Sequence, residues 1–215
     1  MADWLFENGD LVAVDKPEGV PAIPDRRRAQ PSLLERVSAE RCEKLYVVHR
    51  LDRDTSGVIL FARNAEAHRW LNRQFETRTV RKRYLALVHG SVGEDQGTID
   101  KPLRQFGSGR VAVDLERGKP SATEFRVIDR FGECTLVEAR PRTGRRHQIR
   151  VHLYSLGHPI VGDPLYGDRA LQSSYPRLML HAGSLTVLQP GGGELTIEAP
   201  VPESFRSVLR MLGGS

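Results

Sequence analysis

Two short stretches of this chain concentrate side chains able to do chemistry. The first is His49-Arg50-Leu51-Asp52-Arg53-Asp54-Thr55-Ser56-Gly57, running into the apolar segment 57–62 (GVILFA). A carboxylate at Asp52, set between two arginines in the chain, is able to act as nucleophile, general base or metal ligand. A loop of such residues held against a rigid strand is where catalytic side chains are often displayed. The same residue types also build an ordinary turn, with Asp and Thr bonded to nearby backbone, and they fit both readings equally. The second stretch is Thr143-Gly144-Arg145-Arg146-His147-Gln148-Ile149-Arg150-Val151-His152-Leu153. An arginine fixed on a helix at position 150 is able to reach the Asp52 carboxylate or to hold a phosphate. A solvated basic face has the same periodicity.

The elements that must position these residues follow from pattern. Leu11 to Asp15 reads as a short buried strand, stopped at Lys16-Pro17 and turned at Glu18-Gly19. Ser32 and Asn64 are N-caps of two predicted helices, the second carrying Ala67, Trp70, Leu71 and Phe75 at helical spacing. The uninterrupted apolar run 57–62 predicts a strand covered on both faces. Strands are also predicted over 82–90, 122–130, 135–140, 180–188 and 194–199, the last two joined as a hairpin through Gly191-Gly192-Gly193. Thr143-Gly144 predicts a helix start, with Ile149, Leu153 and Leu156 facing inward and Gly157 ending it. Pro202 is placed in the first turn of a C-terminal helix. Strands outnumber helices and several connect through tight turns, which predicts an α+β class with a mixed, mostly antiparallel central sheet flanked by helices and loops. No boundary divides the pattern, so 1–215 is expected to be a single domain.

Composition narrows the function classes. With 39% hydrophobic and 27% charged residues over 215 positions, the chain is neither disordered nor fibrous and is long enough to bury a core without disulfides. No run of eighteen apolar residues exists, the N-terminus lacks a basic segment ahead of an apolar one, and the two cysteines are far apart. These features predict a cytoplasmic protein without a membrane span. Lys plus Arg is 32 against 27 acids, a net charge of +5. The arginines cluster at 26–28, at 78–83 with Lys82, and at 140–150, which suggests a polyanionic partner while remaining compatible with unrelated solvated faces.

Those segments, taken together and in order, resemble the RluA-type pseudouridine synthases. The resemblance rests on VDKPEGVPAIP (14–24), HRLDRDTSG (49–57), KRYLALVHG (82–90), GKPSATEF (118–125), TGRRHQIRVHLYSLGHPIVGDPLYG (143–167) and RLMLHAGSL (177–185). It implies the pseudouridine synthase fold and an isomerase that converts uridine to pseudouridine in RNA, with no cofactor and no metal. Many relatives carry an N-terminal RNA-binding domain of the S4 type, and with the first motif beginning near Leu11 none is expected here.

The resemblance also assigns roles. Asp52 corresponds to the family's essential aspartate, acting at C6 of the base, at C1′ of the sugar, or by opening a glycal route. Arg150 corresponds to the arginine that pairs with that aspartate, and Tyr84 to the tyrosine that stacks on the target uracil. Leu180 lines the pocket, and Arg50 enters the gap left by the flipped nucleotide, where a guanidinium plane partly offsets lost stacking. Lys16, Pro17 and Gly19 support the pocket as a turn. The implied partner is a ribosomal or transfer RNA stem-loop, bound by a monomer. Two other classes compete. A metal-dependent phosphoesterase would draw ligands from His49, Asp52, Asp54, His147, His152, Asp163 and His181, and a non-catalytic RNA-binding module would use the arginines alone.

Overall fold

The computed structural model describes residues 3–24, 30–107 and 109–213. The arginine cluster 26–28 lies outside them. In chain order the elements are β1 (Asp3–Glu7), β2 (Leu11–Lys16), α1 (Leu33–Arg41), β3 (Tyr46–Val47), β4 (Ser56–Ala62), α2 (Ala65–Glu76), β5 (Arg81–His89) and β6 (Gln96–Asp100). They continue with β7 (Leu103–Gln105), β8 (Val111–Val113), β9 (Ala122–Phe131), β10 (Cys134–Pro141), α3 (Gln148–Tyr154), α4 (Arg169–Gln172), β11 (Leu180–Leu188), β12 (Glu194–Glu198) and α5 (Glu203–Met211). Packing divides the chain into two compact units, Met1–Lys82 with Ala182–Pro200, and Arg83–His181 with Val201–Ser215.

In the first unit the strand order is β1-β2-β4-β11, with β3 paired to β4 and β12 to β11. β2 runs antiparallel to β4 in a register that sets Lys16 opposite Gly57 and Leu11 opposite Ala62. Every residue of β4 is buried, so this strand has packed side chains on both faces, as its uninterrupted apolar sequence requires. Leu60, Ala62, Leu71 and Val187 fill one side; Ile59 and Phe61 pack with Val12, Val14 and Val37 on the other. Ser32 caps α1 in a complete capping box with Glu35, and Asn64 caps α2 by accepting from Ala67 N–H at 2.8 Å; such caps satisfy amides a helix start leaves unpaired. Gly57, at φ +113°, could not carry a side chain, since a Cβ would stand 2.2 Å from the Ala182 carbonyl oxygen.

In the second unit β5, β10, β9 and β6 follow one another in the sheet, each pair antiparallel. Leu87, Val137, Leu153, Met179 and Phe205 form its core. A separate hairpin, β7–β8, packs Leu103 and Val111 against Val151 of α3 and Tyr166.

Three local expectations are corrected. α3 begins at Gln148 and not at Thr143, because Gln148 Oε1 accepts from both the Thr143 hydroxyl at 2.6 Å and Arg145 N–H at 3.0 Å. Those bonds hold 143–147 as a turn that ends at His147 with φ +52°. Leu156 is exposed, so only Ile149 and Leu153 of the expected inward stripe are buried. Pro202 is the N-cap of α5, one residue ahead of its first turn.

Candidate active site

The loop carrying Asp52 is held from three sides within the first unit. Lys16 is fully buried at the end of β2, and its ammonium donates to the carbonyls of Pro17 (2.7 Å), Val20 (2.8 Å) and Arg53 (2.7 Å). Three donors thus meet three acceptors, and the turn after β2 is tied to the residue that follows Asp52. His49 fixes the other end. Its Nε2 accepts from Leu60 N–H at 2.9 Å in β4, and its ring stacks on Phe75 with centroids 5.0 Å apart. Thr55 N–H returns to the Asp52 carbonyl at 3.2 Å, and Leu51 is buried. Arg50 is exposed and Asp52 half-buried, so the loop presents these two side chains from an anchored backbone.

An imidazole that accepts a backbone N–H through Nε2 must carry its proton on Nδ1 and be neutral. Its enclosed ring and the nearby Lys82 ammonium lower the His49 pKa to about 3. The unfolded chain therefore binds a proton below pH 6.5 that the folded chain refuses, so stability falls as pH drops from 6.5 towards 3. At pH 5 the loss from this residue should be about 2 kcal/mol, at 1.36 kcal/mol per unit. His49→Gln, which also has an acceptor, should flatten the change in urea midpoint between pH 7 and pH 5. An unchanged slope would show that His49 is not the group responsible.

In the second unit Tyr84 is half-buried on β5 opposite Ala139 of β10, and Leu180 is a buried core residue at the start of β11. Arg150 is only 2% exposed, which overturns the solvated-face reading of α3. The Asp163 carboxylate grips it in a two-toothed fork, with Nε to Oδ2 at 2.8 Å and Nη2 to Oδ1 at 2.7 Å. The sequence offered Asp163 only as a candidate metal ligand. Its role in holding Arg150 is not legible in the sequence, because the two stand thirteen residues apart and meet only where the chain turns after α3.

Part of the expected basic surface is paired with acids. Arg81 pairs with Glu194 at 2.5 Å, Arg142 with Glu124, and Arg83 and Arg140 with the buried Glu138 at 3.7 and 2.6 Å. Of the site and cluster arginines among the described residues, Arg50, Arg78, Arg145 and Arg146 make no ion pair. Arg145 and Arg146 are exposed at the turn ahead of α3, where a polyanion is free to meet them. Arg145→Ala with Arg146→Ala should lower the log–log salt slope of stem-loop RNA binding by about 1.4 to 1.8, since each phosphate contact contributes about 0.7 to 0.9. An unaltered slope would place the RNA elsewhere.

Three of the four histidines in the candidate metal set, His49 among them, bond other groups. His147 Nδ1 bonds the Tyr166 hydroxyl at 2.9 Å, while His152 bonds Thr123 Oγ1 at 2.8 Å and the Lys101 carbonyl at 3.0 Å through its two nitrogens. No three His, Cys, Asp or Glu side chains among the described residues converge as a metal set would. Likewise, no helix among them is long and apolar enough to cross a membrane.

The model of the RNA pseudouridylate synthase family matches residues 10–155. The chain is 36% identical, over 97% of its length, to the ribosomal large subunit pseudouridine synthase D of Nitrosomonas europaea, and spans 64% of that relative. It is 40% identical to the ribosomal large subunit pseudouridine synthase C of Escherichia coli, over 97% of this chain and 69% of the relative. Among solved structures, human RNA pseudouridylate synthase domain containing 1 superposes with a TM-score of 0.81 at 27% identity, covering 100% of this chain and 96% of that one.

Proposed function

Because this chain belongs to the RNA pseudouridylate synthase family, whose members isomerise uridine in RNA, we propose that it converts particular uridines in stem-loops of ribosomal or transfer RNA. The reaction breaks the N1–C1′ bond, turns the freed uracil, forms a C5–C1′ bond, and moves the C5 proton off the base while N1 gains one. It needs a group to activate the sugar or base and a surface to retain the loose uracil. We assign activation to Asp52. Its loop is anchored through Lys16 and His49, so the carboxylate is presented without the entropy of a mobile loop. Tyr84 stacks on the uracil, Leu180 walls the pocket, Arg50 fills the vacated stack, and Arg150 orients the aspartate and offsets its desolvation.

The family match runs from residue 10 to residue 155, through parts of both units, which supports reading the chain as one catalytic domain. It works as a monomer in the cytoplasm in this reading. The observation that carries the assignment is the anchored Asp52 loop within the matched segment. The test is a comparison of pseudouridine maps of total RNA from cells with and without the gene, read as carbodiimide-dependent reverse-transcription stops. At least one stop should vanish. If none does, the reading fails.

The chemistry assigned here uses a carboxylate, a guanidinium and an aromatic face. Turnover of a minimal stem-loop, whose own folding does not depend on magnesium, should therefore persist in EDTA. Loss of turnover on chelation would favour the phosphoesterase class.

A further inference from the structure

Resting on the reading of Arg150 above, the geometry points to Asp163, backed by Tyr166, as a positioning residue that sets the guanidinium plane of Arg150 for the reaction. The grip is over-determined. Asp163 takes Nε and Nη2 of Arg150 at 2.8 and 2.7 Å, and both side chains are buried. A forked pair of this kind fixes a plane as well as a distance, which a lysine in place of the arginine would not. The carboxylate is itself locked, because Oδ1 also accepts from Leu165 N–H at 2.9 Å and Tyr166 N–H at 3.2 Å.

The Tyr166 ring lies beneath the guanidinium, 5.2 Å from its carbon, and its hydroxyl is bonded by Val111 N–H at 3.2 Å and His147 Nδ1 at 2.9 Å. Gln172 closes the turn, accepting from Gly162 N–H at 2.6 Å and donating to the carbonyls of Ile160 at 2.9 Å and Tyr166 at 3.1 Å. Gly162 belongs to the same turn, since a Cβ there would stand 1.8 Å from the Arg177 carbonyl oxygen. A buried ion pair is a poor means of adding stability, because apolar residues of equal volume commonly do as well. Surrounding one arginine with so many fixed groups does, however, define its orientation, and misplacing a working group by about 1 Å can cost about 100-fold in rate.

The test is a mutant cycle on the full chain, using ribosomal RNA transcribed with 5-tritiated uridine. Single-turnover tritium release and RNA affinity are measured for wild type, Asp163→Asn, Arg150→Lys and the double variant. Asp163→Asn should slow release by about 10- to 100-fold, leave RNA affinity within about threefold, and slow the Arg150→Lys protein by less than about threefold more. Tyr166→Phe, which keeps the ring and removes only the hydroxyl, should slow release about tenfold in wild type and not in Arg150→Lys; it serves if Asp163→Asn does not fold. The Arg150 Nε–H resonance should be slow to exchange in wild type and lose that protection in Asp163→Asn. Equal losses in both backgrounds, or rates unaffected by Asp163→Asn, would overturn the positioning role. Failure of the underlying reading looks different: Arg150→Lys itself would then release tritium at the wild-type rate, or the wild type would release none. In that event a persistent Nε–H in Asp163→Asn would overturn the grip on its own.

Discussion

Asp52→Asn should yield a folded protein that binds stem-loop RNA and releases no tritium from 5-tritiated uridine. The substitution keeps volume and hydrogen-bonding reach and removes the charge and the nucleophilic oxygen. The bonds that anchor the loop lie on backbone atoms it does not touch: Lys16 to the Arg53 carbonyl and Thr55 N–H to the Asp52 carbonyl. The loop should therefore keep its course. RNA affinity should hold or rise, since a negative charge near the target backbone has gone. Release should fall by at least about 1,000-fold, within the range for removing a group that acts on the reacting atoms. Asp54→Asn is the internal control, because Asp54 is half-buried on the same loop and no role is assigned to it; it should keep substantial activity. Robust release by Asp52→Asn, or loss with Asp54→Asn alone, would move the catalytic role off Asp52.

How far such a site is legible in sequence depends on the range of the forces that build it. Caps, turns and apolar runs act within a few residues, so Ser32, Asn64, the buried strand β4 and the β11–β12 hairpin could be read directly. β1, β3 and the short strands β6, β7 and β8 could not. They hold two to five residues each, and a segment that short is a strand because a neighbour pairs with it, not because of its own pattern. The candidate site divides in the same way. Asp52, Arg50, Tyr84, Arg150 and Leu180 stand in motifs that a resemblance picks out. Their supports are long-range. Nothing local to Arg150 indicates Asp163, thirteen residues on, and nothing in a run of arginines indicates that one buried carboxylate, Glu138, faces Arg83, Arg126 and Arg140 together. One carboxylate offsets only one of those three charges, so which arginines are left for a partner cannot be read from their order along the chain. His49 illustrates the opposite error: a histidine beside an aspartate suggests a ligand or base, whereas here its acceptor nitrogen is consumed by Leu60 N–H.

Lys16→Met should be among the most damaging single changes to stability, although Lys16 stands at the very end of a strand. Methionine matches the length of the stem but offers no donor, so the carbonyls of Pro17, Val20 and Arg53 lose the ammonium they share at 2.7 to 2.8 Å. The buried acceptor at Val20 left unpaired costs about 1 to 3 kcal/mol, the half-buried ones at Pro17 and Arg53 cost less each, and the extra apolar burial of the methionine offsets part of the sum. A net loss of about 4 kcal/mol is expected, a large fraction of the roughly 5 to 15 kcal/mol that holds a domain folded. It should be read as a shift in urea midpoint with little change in slope. The loss should also be local. The amides of Arg53 to Thr55 should lose hydrogen-exchange protection more than those of β9 and β10, which lie in the other unit. At low temperature, where the variant stays folded, tritium release should fall further than the folded fraction does, because the Asp52 loop has lost one of its anchors. A midpoint shift equivalent to less than about 1 kcal/mol would mean that water replaces the ammonium and that the loop holds its course without Lys16.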